Sequence, residues 1–233
     1  MSDVRLFFRE EGAGEPLVLL HGNGEDSSYF MHQIAAFSGR YRVIAVDTRG
    51  HGRSPRGGAP FTLEQFALDL RDFLDERGID RAHLLGFSDG ANIAMIFALR
   101  FPERVGRLIL DGGNLFPGGV KRSVQRPIEF GYWLTKLISR FDRRARAKHE
   151  LLALMVEQPD LTPGQLGALT MPVLVMAGTD DMILDEHTSL IHRSIPGSEL
   201  RLIPGGHFIA RDNPEPFNRA VLDFLQNEEG DMS

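Results

Sequence analysis

His83-Leu84-Leu85-Gly86-Phe87-Ser88-Asp89-Gly90-Ala91-Asn92-Ile93-Ala94 is the stretch whose reading decides the fold. Its first four residues form a short apolar run, as expected of a strand buried on both faces. Asp89 to Phe101 is apolar on most sides (Ile93, Ala94, Ile96, Phe97, Leu99), which predicts a helix packed deep against a sheet. Between strand and helix lies Gly86-Phe87-Ser88-Asp89-Gly90, a G-x-S-x-G turn. Glycines two residues on either side of the serine avoid collision in so tight a turn and leave the hydroxyl exposed. The helix that follows aims its N-terminal N–H groups and positive dipole end at any negative charge developing there.

Outward from this turn the chain alternates strand and helix signals, the pattern of βαβ units around a mostly parallel sheet. Strands are predicted at Val4 to Arg9, Leu17 to Leu20, Val43 to Val46, His83 to Gly86, Leu108 to Leu110, Val173 to Met176 and Leu200 to Ile203. Thr62 to Arg77 carries Leu63, Phe66, Ala67, Leu70, Phe73 and Leu74 as one helical stripe, and Thr62 with Gln65 can form a capping box. The last helix, Glu215 to Gln226, places Phe217, Val221, Phe224 and Leu225 on one face, and the acidic tail from Glu228 onward is expected to fray. Residues 114–170 break the alternation. They carry a helical stripe of Trp133, Leu134, Leu137, Ile138 and Phe141, then a second helical pattern at Leu151, Leu152, Leu154 and Met155. Residues 112–170 hold a local charge of +4 within a chain of net −6, so the remainder is near −10. The organisation expected is a core of residues 1–113 and 171–233 with a helical insertion at 114–170.

Composition narrows the classes. The 233 residues include no cysteine, which excludes disulfides, cysteine–zinc sites and a thiol nucleophile. Hydrophobic content of 42% and charge of 25% are those of an ordinary globular protein. The net charge of −6 argues against nucleic acid as a general partner. The N-terminus has no apolar h-region, and no apolar run approaches the about 20 residues a membrane span needs, so a cytoplasmic location without membrane association is expected. H-E-x-x-H is absent, and G-x-G-x-x-G does not occur between strand and helix, so no metal and no organic cofactor is implied. A serine nucleophile needs a base, and eight histidines compete for that role. Only His207 lies in a glycine-rich loop (Gly205-Gly206-His207) between the last predicted strand and the last helix.

With these motifs in order, the chain from about residue 4 to 226 resembles the α/β-hydrolase superfamily, in its serine-nucleophile, carboxylesterase-like branch. His21-Gly22-Asn23-Gly24 resembles the family's oxyanion loop, and Asp47-Thr48-Arg49-Gly50-His51-Gly52-Arg53-Ser54 its D-x-R-G-x-G-x-S turn, read here as fixing a loop and not as catalytic. The resemblance implies a central, mostly parallel eight-stranded sheet flanked by helices, with a short cap inserted after strand 6. It assigns Ser88 as nucleophile and His207 as base. The family's strand-G-x-x-D pattern selects Asp181 over its neighbour Asp180 as the acid. The order Ser88, Asp181, His207 is that of α/β-hydrolases and not of other triad folds. The backbone N–H groups of Asn23 and Asp89 would form the oxyanion hole.

The reaction so implied is acyl transfer from a small carboxylic ester to water through an acyl-enzyme, with a small-molecule acyl substrate as the partner. The same triad serves C–C bond hydrolases, lactonases, amidases and cofactor-free haloperoxidases, and the fold also hosts non-catalytic ligand receptors. Serine at position 88 argues against relatives that use an aspartate nucleophile. An acidic residue after the nucleophile occurs in a subset of the family that includes amino-acid ester hydrolases. Asp89 is read here as stabilising a helix N-terminus, worth about 0.3–1 kcal/mol, in preference to recognising a cationic substrate. Trp133, Leu134 and Leu137 are candidates to line the substrate pocket or to dock the cap. The basic residues around them are read as a solvated helix face.

Overall fold

The computed structural model describes residues 2–227; the tail from Glu228, expected to fray, lies outside the described residues. The elements run β1 (Phe8–Glu11), β2 (Pro16–Leu20), α1 (Met31–Phe37), β3 (Arg42–Val46), α2 (Leu63–Glu76), β4 (Ala82–Phe87), α3 (Asp89–Arg100), β5 (Val105–Asp111), α4 (Arg122–Ile138), α5 (Arg143–Glu157), α6 (Pro163–Leu166), β6 (Val173–Gly178), α7 (Asp185–Ser194), β7 (Glu199–Ile203), α8 (Ile209–Asp212) and α9 (Pro214–Gln226). The strands form one sheet in the order β1-β3-β2-β4-β5-β6-β7, with β1 antiparallel and every other pairing parallel.

The sheet has seven strands among the described residues, not eight. The strand predicted from Val4 begins only at Phe8, because the residues before it are spent elsewhere. Asp3 pairs with Arg49 at 2.6 Å, and Ser2 donates to Asp69 at 2.8 Å. By this count the insertion follows the fifth strand.

Period-two alternation divides the core into two layers. Val18, Leu20, Ile44 and Val46 pack with α2 and α3 on one face of the sheet. Leu17, Leu19, Val43 and Ala45 pack with α1 and α9 on the other. Both faces are therefore covered, which accounts for the unbroken apolar runs in β2 and β3. Thr62 caps α2 by accepting from the Gln65 amide at 3.1 Å. The reciprocal half of the expected capping box is not made, because the Gln65 side chain donates to Asp69 instead, at 3.0 Å.

The insertion is a hairpin of α4 and α5 followed by α6. Its apolar stripe is not its packed face. Gln125 and Thr135 are the buried residues of α4, Tyr132 stacks on His149 at 4.7 Å between ring centres, and Gln125 donates to the Met155 carbonyl. A polar and aromatic face thus meets α5, and the stripe points outward. What docks the hairpin on the core is Leu154 of α5, fully buried in the same cluster as α2 and α3. Two further ties help: the Arg56–Glu150 ion pair at 2.8 Å and the Leu63 amide donating to Gln158. No helix among the described residues is long and apolar enough to cross a membrane.

The D-x-R-G-x-G-x-S turn binds the loops at this end of the sheet together. Asp47 accepts from the amides of Ser27 and Arg53, and Ser54 bridges the Asp47 carbonyl and the Phe7 amide. Arg49, with its side chain wholly buried, makes a bidentate pair with Asp69 at 2.6 and 2.7 Å. Removing Asp69 takes two charge-assisted bonds from the buried guanidinium and leaves it only the half-exposed Asp3 as a charged partner. Asp69→Ala is therefore expected to cost about 1.5–3 kcal/mol, read as a lowered urea midpoint with an unchanged slope.

Candidate active site

The sheet's carboxyl edge collects the site. Asn23 follows β2, Ser88 follows β4, Asp111 ends β5, Asp181 follows β6 and His207 follows β7. Ligands of open parallel sheets bind outside this edge.

Ser88 sits at φ +53°, the only non-glycine residue with positive φ among the described residues. Such a conformation is strained for a side chain and persists only where its surroundings fix it. Here the Ser88 amide donates to the Asp111 carbonyl at 2.7 Å, and the Ser88 carbonyl accepts from Ala91 and Asn92 at the head of α3. A Cβ on Gly86 would strike the Gly90 carbonyl, and one on Gly90 would strike the Leu20 carbonyl. The two glycines are therefore required by close backbone approach.

His207 Nε2 lies 3.0 Å from Ser88 Oγ, and its Nδ1 lies 2.7 Å from Asp181 Oδ1. A carboxylate only accepts, so Nδ1 carries the proton and Nε2 accepts from the serine hydroxyl. Asp181 is fully buried, and its oxygens also accept from the amides of Gly178 and Ile183. Burial pushes its pKa up, but the bonds to His207 and the two amides outweigh that and hold it below the usual carboxylate value. Asp180 is exposed. The structure thus brings Ser88, His207 and Asp181 into one chain of hydrogen bonds and leaves Asp180 outside it.

The loop of residues 21–24 lies beside Ser88. A Cβ on Gly22 would sit 3.2 Å from Ser88 Cβ and 2.9 Å from the Phe87 ring. His21 sets the shape of this loop. Its Nε2 accepts from the Thr48 amide at 3.0 Å, so its Nδ1–H donates to the Gly22 carbonyl at 2.7 Å. Among the described residues, no protein acceptor takes the backbone N–H of Asn23 or of Asp89. The Asp89 side chain is buried and accepts from Asn23 at 2.9 Å and from Asn92 at 3.4 Å.

The other pocket candidates fall elsewhere. Trp133, Leu134 and Leu137 are 63%, 42% and 65% exposed on the outer side of α4. Trp133 and Leu137 share a surface groove with Lys136, Ser139, Arg140 and Phe141. None of the three makes a hydrogen bond or ring contact with Ser88, His207 or Asp181. The rings that do surround the site come from Phe87, Tyr29 and Phe208. Phe87 stacks on Tyr29 at 4.4 Å and lies 4.9 Å from the His207 ring.

Sequence reasoning passed over two carboxyl groups. Asp111 is wholly buried, and neither of its carboxylate oxygens has a hydrogen-bond partner among the described residues. Burial, and then the charge of Asp181, push its pKa well above the ordinary range. Burial likewise raises Glu25 to about 6. One signal for Asp111 was present: a carboxylate ending an otherwise apolar strand next to the serine strand.

Residues 15–155 match the family model described as alpha/beta hydrolase fold. Over 270 aligned positions the chain is 33% identical to a 2-hydroxy-6-oxononadienedioate/2-hydroxy-6-oxononatrienedioate hydrolase of Paraburkholderia phymatum, covering 96% of this chain and 92% of that protein. It is 31% identical to a second hydrolase of that description from Pseudomonas putida, covering 97% and 93%. Among solved structures, a hydrolase from Pseudomonas aeruginosa superposes with a TM-score of 0.78 at 29% identity, covering 95% of this chain and 94% of that one. The chain belongs to the α/β-hydrolase superfamily and is an enzyme of that superfamily.

Burial of His21 makes a prediction about acid stability. Burial, and then the neighbouring His51, lower its pKa to about 4. Between about pH 6.5 and 4 the unfolded chain binds a proton at His21 that the folded chain refuses. Stability from this group is therefore full above pH 6.5 and falls by about 3 kcal/mol on acidification to pH 4. Glu25 acts in the opposite sense between about 4.5 and 6. Urea titrations at pH 7.5 and 4.5 are expected to show a smaller difference between the two pH values for His21→Asn than for the unaltered protein.

Proposed function

We propose that Ser88, His207 and Asp181 act as nucleophile, base and orienting acid in hydrolysis of a small oxo-acid metabolite. The bond broken on this reading is a carbon–carbon bond next to a ketone. The observation that carries the hydrolytic reading is the pairing of a serine hydroxyl 3.0 Å from an imidazole with two unengaged backbone N–H groups beside it.

Ser88 Oγ adds to the carbonyl carbon as its proton passes to His207 Nε2. Asp181 keeps the other ring proton on Nδ1 and stabilises the imidazolium that forms. The oxyanion takes the N–H groups of Asn23 and Asp89, donors worth about 10²–10³ in rate when one is lost. Collapse of the adduct breaks the bond to the leaving group, which takes the proton from His207. Water, deprotonated by His207, then attacks the acyl-enzyme and releases the acid and Ser88.

This sequence fits an ester, whose leaving oxygen carries charge readily. It fits a C–C bond only if the leaving carbon's charge spreads into a conjugated system before His207 protonates it. The relatives' printed names favour the second case, since they describe hydrolysis of hydroxy-oxo dienedioates. The ester reading drawn from the sequence is therefore set second to the C–C alternative.

A fluorophosphonate probe is expected to label the protein and to spare Ser88→Ala. Ser88→Ala should lower kcat by a factor on the order of 10⁶. A chromophoric 2-hydroxy-6-oxo-dienoic acid should be cleaved with a kcat/KM at least tenfold above that for p-nitrophenyl acetate. The reverse order would return the assignment to esters, and absence of labelling would remove the serine mechanism altogether.

A further inference from the structure

Asn23 stands between two glycines, in a turn closed by the Glu25 amide donating to the Gly22 carbonyl at 3.2 Å. Gly24 has φ +75°, and a Cβ built there would meet nothing within 4 Å. His21 fixes the start of the loop, through Thr48 and the Gly22 carbonyl. The Glu25–Gly22 bond closes the turn on itself, and the Asn23 side chain ties the turn to the helices beside it. Its amide group has two hydrogens, and each has a defined acceptor. One goes to Asp89 Oδ2 at 2.9 Å, and the other to the Leu151 carbonyl of α5 at 3.0 Å.

Asp89 is anchored in turn. Its Oδ1 faces the Asn92 side-chain amide at 3.4 Å, and Asn92 also donates to Asn114 Oδ1 at 2.9 Å. Asn114 returns its own amide to Asn92 Oδ1 at 2.9 Å and donates from its side chain to the Phe116 carbonyl. The chain of bonds therefore runs from the cap helix, through the oxyanion loop and the helix behind the nucleophile, to the segment that leads into the cap.

The chemistry of position 89 follows from its neighbours. Two side-chain amides point their NH₂ groups at it, so it must accept on both sides. A carboxylate is acceptor-only, whereas an asparagine would turn an NH₂ toward one of the two donors. No cation is paired with this buried carboxylate among the described residues.

We propose that Asp89 is a positioning residue: through the Asn23 side chain it holds the Asn23 backbone N–H against Ser88 and ties that placement to the docking of α5. The inference rests on the hydrolytic reading of Ser88 above. It differs both from plain stabilisation of a helix N-terminus and from recognition of a cationic substrate by the carboxylate.

The test is a double-mutant cycle with Asp89→Asn and Asn23→Ala, using whichever neutral substrate the unaltered protein turns over. Each single substitution should lower kcat about tenfold to a hundredfold, less than the about 10²–10³ for outright loss of an oxyanion donor, with KM within about threefold. If Asp89 acts through Asn23, the double variant should be no slower than the slower single one. Affinity for a trifluoromethyl ketone, which forms the tetrahedral adduct, should fall by the same factor as kcat. Hydrogen exchange should rise in peptides spanning 22–26 and 147–157 in both single variants, a readout that does not depend on turnover. Should Asp89→Asn not fold, Asn23→Ala in its short turn carries the kinetic and exchange tests alone. An unchanged kcat in either single variant, losses that multiply in the double variant, or an effect confined to KM for cationic esters would overturn the proposal. Failure of the unaltered protein to react with fluorophosphonate would instead strike the reading of Ser88, and the exchange result would still judge the link between Asp89 and Asn23.

Discussion

The turn at Ser88 is the constraint around which the rest of the site is arranged. A side chain at φ +53° is costly, of order 1–3 kcal/mol, and survives only where neighbouring structure leaves the backbone no alternative. Those neighbours are β5, whose Asp111 carbonyl accepts from the Ser88 amide, and α3, whose Ala91 and Asn92 amides donate to the Ser88 carbonyl. Gly86 and Gly90 let β4, α3 and the end of β2 approach until their backbones touch. Once the turn is fixed, the parallel sheet does the remaining placement. Each of β2, β6 and β7 ends at the same edge and delivers one loop beside the hydroxyl.

The elements that position Ser88 were legible because they obey local rules. β4 and α3 announce themselves by an apolar run and an apolar helix, with two glycines at fixed distance from the serine. The adjacency of Asp180 and Asp181 was harder, because spacing alone cannot say which carboxylate turns inward. The fold decides it: Asp181 accepts from the amides of Gly178 and Ile183, while Asp180 faces water. The first strand was misread for a physical reason. Val4 is apolar and buried, but its neighbours Ser2 and Asp3 serve the Arg49–Asp69 pair, an interaction between residues far apart in sequence. The raised pKa of Asp111 was equally out of reach of periodicity, since part of it comes from the charge of Asp181, seventy residues on in sequence.

The cap shows the limit of reading amphipathic helices. A stripe of Trp133, Leu134, Leu137, Ile138 and Phe141 ordinarily marks the face turned to the core. Here α4 turns Gln125, Tyr132 and Thr135 to α5, because polar and aromatic partners await them there in His149 and the Met155 carbonyl. The stripe is left in water, with Phe141 91% exposed. Sequence pattern reports how apolar residues are spaced. It does not report which face finds a partner.

The manner of the cap's attachment has an evolutionary consequence. Apart from Leu154 and the Arg56–Glu150 pair, several of its ties to the core use main-chain atoms on at least one side: Lys121 to Met182, Leu184 to Gly119, the Leu63 amide to Gln158, and the Leu151 carbonyl to Asn23. Peptide groups are common to every amino acid, so such ties tolerate drift in the side chains that carry them. The roof can diversify in sequence while the floor, fixed by glycines and one strained serine, stays as it is.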